Sequence, residues 1–181
     1  MLYPALTACG PAAFTTILAQ RKWMRRAIAI GLVCAGLASC GGVDTKKFEA
    51  VAGAGRALQQ EVEATLKQPP RPQARDLLKK FDVEIEALHD KTIGRGESDA
   101  LDAYAKAGDA FRSLLRFQGL ARDAENNQIV LKGPDLEAAT RYKLPVDSRG
   151  GARYVNSAQA ITILLQAAEQ HLSDGNRFIS R

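Results

Sequence analysis

Between residues 48 and 172, apolar residues recur at intervals of three and four in four separate segments, and this spacing constrains the fold more than any other feature. It places each set of residues on one face of a helix. Because each apolar face needs neighbouring helices to cover it, the sequence predicts an all-α fold, an antiparallel bundle of about four helices. The four faces comprise Phe48, Val51, Gly55, Leu58, Val62 and Leu66; Leu78, Phe81, Ile85 and Leu88; Leu101, Tyr104, Gly108, Phe111, Leu115 and Gln118; and Ile161, Leu165, Ala168 and Leu172.

The last helix has the clearest predicted ends. Asn156 can cap its first turn, and Gln159 follows three residues later, as in a capping box. Gly175 stands where glycine commonly ends a helix. The sequence therefore predicts a helix over about 156–175.

The stretch before this helix, 128–154, is the least regular part, and we expect a mainly irregular loop there. Residues 129–131 are apolar and predict a short strand or an extended piece. Pro134 suits the first position of a short helix that reaches about Tyr142. Turns are expected at 144–145 and 150–151.

The N-terminal region has the pattern of a targeting segment. Residues 24–26 are a short basic start, and the apolar run 27–38 is too short to cross a bilayer, which needs about 20 residues. The run ends in Leu37, Ala38, Ser39 and Cys40. This order, over about residues 24–42, resembles the lipobox signal of bacterial lipoproteins. The resemblance implies lipid transfer to the Cys40 thiol, cleavage between Ser39 and Cys40, and acylation of the new amino group.

Three segments follow from this interpretation. We expect a signal peptide over 1–39, a lipidated tether over 40–46 and the helical domain over 47–181. Within the signal peptide, Met24 is the expected true start and 1–23 a mis-assigned extension; a genuine long N-terminal region is the alternative. An ordinary secretory signal with an incidental Cys40 is the alternative to the lipobox.

The lipobox resemblance also implies a location. The mature chain would be anchored to the bacterial cell envelope and face the periplasm. Gly41 stands where lipoproteins retained in the inner membrane carry Asp, so the outer membrane is slightly favoured. Cleavage would also remove Cys9 and Cys34, which leaves no internal pair of cysteines for a disulfide.

The charge distribution argues against a nucleic-acid partner. The net charge is +5, but the first 39 residues contain four of the 25 Lys and Arg and no Asp or Glu. Removing them leaves 21 basic residues against 20 acidic ones. A nearly neutral domain lacks the basic footprint that nucleic-acid binding requires.

Few residues offer chemistry. His89 and Asp90 are adjacent, and a histidine beside a carboxylate can act in acid–base catalysis or bind metal. Residues adjacent on a helix point in different directions, however, and a di-iron spacing is missing. The sequence predicts no catalytic residue, metal or cofactor; an unrecognised envelope hydrolase or metal enzyme is the remaining alternative.

The stretch before the last helix concentrates cations and tyrosines. Tyrosine and arginine are enriched at interfaces, and function tends to lie on loops. We therefore predict that this loop contacts an anionic partner such as a glycan, a lipid head group or an acidic protein; a solvated connection whose tyrosines cover the end of the bundle is the alternative. For the whole domain we expect a structural or interaction role that involves another envelope protein. The alternative is a small apolar or anionic ligand, held between the helices or at this loop. The loop residues are Arg141, Tyr142, Lys143, Arg149, Arg153 and Tyr154.

Overall fold

The computed structural model describes residues 43–66, 71–89 and 94–180, and these are mostly helical, as the sequence predicted. Their helices are α1 (Thr45–Ala64), α2 (Pro72–His89), α3 (Arg95–Arg122), α4 (Pro134–Arg141) and α5 (Ser157–Ile179). Their strands are β1 (Gln128–Val130), β2 (Val146–Arg149) and β3 (Ala152–Asn156). The strands form one antiparallel sheet in the order β1-β3-β2.

The four long helices enclose one core. Helix α1 packs on α2 and α5, α2 packs on α3, and the largest interface lies between α3 and α5. These two helices run in opposite directions: the hydroxyl of Tyr104, in the first half of α3, donates a hydrogen bond to Asn176 near the end of α5. Among the described helices, none combines the length and hydropathy needed to cross a bilayer.

Three aromatic rings fill the centre of the core. Tyr104 is fully buried, stacks on Phe48 at 6.1 Å between ring centroids, and meets Phe81 edge to face at 6.3 Å. Its hydroxyl donates to Asn176 Oδ1 at 2.8 Å. Burial raises the pKa of Tyr104 to about 12, so this phenol stays neutral and satisfied inside the core.

The predicted stop at Gly175 is wrong, because α5 continues to Ile179. A Cβ atom at Gly175 would lie 3.0 Å from the ring of Tyr104. The glycine is therefore a point of close packing inside the helix. Its role in the interface with α3 explains a residue that resembled a helix terminator.

Two glycine-to-alanine changes should have opposite effects on stability. At Gly53 a new Cβ meets nothing within 4 Å, so Gly53→Ala gains helix propensity and stabilises by about 1 kcal/mol. At Gly175 the same change pushes against a rigid buried ring and destabilises by about 1–3 kcal/mol. Chemical unfolding followed by circular dichroism measures both. Equal shifts in the same direction would contradict the α3–α5 packing.

The apolar face of α5 is rotated relative to the prediction. Ala168 and Leu172 are buried as expected, but the first half of the helix buries Ala160 and Leu164. The predicted Ile161 and Leu165 are only partly buried. Both stripes are apolar, and the core takes the one that contains Ala160 and Leu164.

The stretch before α5 is more ordered than the irregular loop that the sequence predicted. The expected strand near Ile129 and the short helix from Pro134 are present as β1 and α4. Strands β2 and β3 were not predicted. They form because Val155 pairs with both Ile129 and Val146 and buries its own side chain in the core.

Helix α1 begins inside the predicted tether. Asp44 caps it by accepting from the backbone N–H of Lys46 at 3.2 Å. Glu97 in α3 then accepts from the Asp44 N–H and from Lys47 Nζ, both at 3.2 Å, and from the Gly94 N–H at 3.3 Å. This carboxylate therefore ties the starts of α1 and α3 together.

Neutralising Glu97 should destabilise the domain in a pH-dependent way. Burial opposes ionisation, but hydrogen bonds from Asp44, Lys47 and Gly94 outweigh it and lower the pKa of Glu97 below its ordinary 4.5. Because the pKa of Glu97 is lower in the folded than in the unfolded chain, its ionised carboxylate stabilises the fold at pH values above 4.5. This stabilisation is lost as the pH falls through the pKa of the folded state. We expect Glu97→Gln to cost about 1–2 kcal/mol at pH 7.

The same Glu97→Gln cost should shrink as the pH falls below 4.5 and through the lowered pKa of Glu97, where the wild-type carboxyl also binds a proton. Melting curves of both proteins between pH 3 and pH 7 measure it. A difference in melting temperature that stays constant over this range would contradict the charged contacts of Glu97.

Candidate partner-binding surface

The hairpin of β2 and β3 positions three of the six predicted binding residues, Arg149, Arg153 and Tyr154. Its turn is Gly150-Gly151, with φ of 57° and 80°, and Arg149 pairs with Ala152 across it. Positive φ at both central residues is the tight hairpin geometry that glycine adopts without strain. The predicted turn at 150–151 is therefore present.

Alternation along β3 sends neighbouring residues to opposite faces of the sheet. Arg153 lies on the same face as Val155 and pairs in register with Ser148 of β2. Tyr154 lies on the other face, flanked by Val130 of β1 and Asp147 of β2. The single basic loop that the sequence predicted is thus divided between two surfaces.

The first of these, the Tyr154 surface, mixes apolar and charged groups. It is a shallow groove of about 610 Å³. Val130 is 43% exposed there, although it is a large aliphatic residue in a strand. The residues that define the surface are Leu120, Asp123, Glu125, Val130, Arg149 and Tyr154.

The second, the Arg153 surface, lies between the sheet and α4. Lys143 and Arg153 share a depression of about 480 Å³ with Val146 and Ser148. Lys143 has φ of 52° in the turn after α4, and the Leu144 N–H donates to Ala139 O across that turn at 2.8 Å. This turn therefore sets the position of Lys143 beside the depression.

Acidic neighbours offset two of the predicted cations. Arg141 Nη1 lies 3.1 Å from Asp109 Oδ2, and Arg149 Nη2 lies 3.5 Å from Asp147 Oδ2. Among the described residues, no carboxylate lies within ion-pair distance of Lys143 or Arg153. Of the two surfaces, the Arg153 surface therefore holds both of these unpaired cations.

Tyr142 belongs to the packing more than to either surface. It is partly buried against the core at the end of α4. Burial, and after it the charge of Asp109, raises the pKa of Tyr142. A neutral ring here supports α4 against α3.

The lipidation site is the one further site that the sequence predicts, and His89 is a residue for which it predicts no role. Cys40 and its recognition residues Leu37, Ala38 and Ser39 lie outside the described residues. His89 is the last residue of α2 and is exposed. In the described ranges, no three His, Cys, Asp or Glu residues come together as a potential metal site.

The structure also contains a groove between α3 and α5 that the sequence reasoning missed. Its volume is about 720 Å³. Leu66, Ala121, Ile161 and Leu165 supply apolar wall, and Gln118 completes it. The sequence pattern places Gln118 on the apolar face of α3. A polar residue on such a face is the one sequence signal for this groove.

Glu169 lies at one end of this α3–α5 groove. Burial raises the pKa of Glu169, and the nearby Glu63 raises it further. The carboxyl group of Glu169 therefore ionises less readily than that of an exposed glutamate, so this end of the groove carries less negative charge than an exposed glutamate would give it.

Comparison with known proteins gives no relative. No protein-family model matches the chain, and no curated protein or solved structure is significantly similar to it.

Proposed function

We propose that this chain is a lipoprotein of the bacterial cell envelope that holds a helical domain at the membrane and binds another envelope protein there. Lipid on Cys40 provides the anchor, and the domain faces the periplasm. Its four long helices form an antiparallel bundle with the small sheet at one side. The outer membrane is favoured over the inner one by Gly41.

The observation that carries the partner-binding proposal is the Tyr154 surface. It combines an accessible tyrosine and an arginine, residue types enriched at protein interfaces, with an exposed valine that adds apolar area. Asp123 and Glu125 lie beside Arg149, so the surface has charges of both signs. Mixed charge around an apolar centre favours a protein partner over a small anion.

Site-specific photocrosslinking in cells tests this partner. A photoreactive residue replaces Tyr154 in the full-length protein, and the control carries it at Lys79 on α2, whose side chain is 80% exposed. We expect one crosslinked species from position 154 and none from position 79. Crosslinks of equal strength from both positions, or none from 154, would contradict the proposal.

A charge reversal sharpens the same test. Arg149→Glu in the crosslinking protein should weaken the crosslink about tenfold, because like charges then face each other at the edge of the interface. Arg75→Glu, on α2 and also exposed, is the matched control and should leave it unchanged. A crosslink insensitive to Arg149→Glu would place the partner elsewhere.

A further inference from the structure

Gln118 is the most unusual polar side chain in the described part of the chain. It is 3% exposed, and neither its amide nitrogen nor its amide oxygen has a hydrogen-bond partner there. A buried polar group without a partner costs about 1–3 kcal/mol. Such groups in folded proteins are normally satisfied, so an unpaired carboxamide beside a groove points to an occupant.

The groove beside Gln118 suits a small molecule. Its volume of about 720 Å³ lies within the range of small-molecule sites. Ile161 and Leu165 face it and remain partly exposed, although both are large aliphatic residues. From Ser157 to Glu169 the groove follows about 18 Å of α5. An extended apolar body would cover both aliphatic side chains.

The charges around the groove favour a neutral molecule. Arg122 lies toward one end and Glu169 toward the other, and among the described residues no other charged side chain lines the groove. An ionised ligand head buried against Gln118 would lose its hydration without gaining an opposite charge. An amide pairs with Gln118 fully, because each amide supplies one acceptor oxygen and donor N–H groups.

We propose that the α3–α5 groove binds a small neutral amphipathic molecule whose apolar body covers Ile161 and Leu165 and whose carboxamide-like head pairs with Gln118. The groove shares no lining residue with the Tyr154 surface, so this site stands independently of the protein partner. The amide of Gln118 is buried, and a change of side-chain rotamer about its three rotatable bonds turns it toward a bound molecule.

Octanamide is a suitable probe, with octanoate as its charged counterpart of equal chain length. The protein is residues 41–181, which contain the whole core and lack the apolar signal segment, so no detergent enters the groove. We expect octanamide to raise the melting temperature by several degrees, because it binds only the folded state. Octanoate should have little effect at pH 7. No shift with octanamide, or an equal shift with both compounds, would overturn the proposal.

Two variants locate the binding. Gln118→Leu should weaken octanamide binding about tenfold through the loss of two hydrogen bonds, whereas Gln73→Leu on the exposed face of α2 should not. Ligand-free Gln118→Leu should also melt higher than its parent, since it removes an unpaired amide. Leu165→Gln, a partly exposed position, should weaken binding without unfolding the domain. Unchanged affinity in both groove variants would overturn the site.

Discussion

Tyr104→Ala will lower the free energy of unfolding by about 4 kcal/mol, as expected for truncation of a large buried aromatic. The ring is fully buried and holds three elements together: Phe48 of α1, Phe81 of α2 and Gly175 of α5. No neighbour can collapse into the space without losing its own contacts. Because native domains are stable by only about 5–15 kcal/mol, this loss leaves a marginal fold.

Tyr104→Phe is the matched control for this prediction. It keeps the ring and removes only the hydrogen bond to Asn176, so it should cost about 1 kcal/mol. Urea unfolding followed by circular dichroism measures both variants. A loss below about 1 kcal/mol for Tyr104→Ala would contradict the central place of this ring in the core.

Cys40→Ser will abolish lipid labelling of the protein and leave the precursor uncleaved. The proposed attachment is covalent and uses the thiol, which serine lacks. A stable anchor needs more than one acyl chain, and both the thiol and the amino group of Cys40 are proposed to receive them. Without the thioether, cleavage before residue 40 also fails and the precursor persists.

The Cys40→Ser experiment has an internal control. Cys34→Ser changes the same residue type within the apolar run and should leave anchoring unchanged. Both variants are expressed in a bacterium with a fatty-acid alkyne, and the lipid label and the processing of the precursor are measured. Labelled or normally processed Cys40→Ser protein would contradict the lipobox interpretation, as would loss of labelling in Cys34→Ser.

The helices were predictable because their faces repeat. The stripe from Leu78 to Leu88 in α2 and the one from Leu101 to Gln118 in α3 each recur over several turns, and those residues are buried. The register of α5 was less predictable. Its two adjacent apolar stripes differ only in which one α3 covers, and sequence spacing does not contain that choice.

The hairpin and the groove were beyond sequence reasoning for physical reasons. All four residues of β2 are exposed, so the strand lacks the alternation that marks a half-buried sheet. Its pairing with β3 depends on Val155 reaching the core, which is a long-range contact. Gln118 was visible as a polar residue on an apolar face, but only the fold reveals that both atoms of its amide are unpaired.

The most direct test of the central claim is mass spectrometry of the N-terminal peptide of the mature protein, purified from bacterial membranes. The proposed lipoprotein begins at Cys40, followed by Gly41, and this first residue carries the mass of lipid on its sulfur and an acyl chain on its amino group. A mature N-terminus at another residue, or an unmodified Cys40, would contradict the lipid anchor.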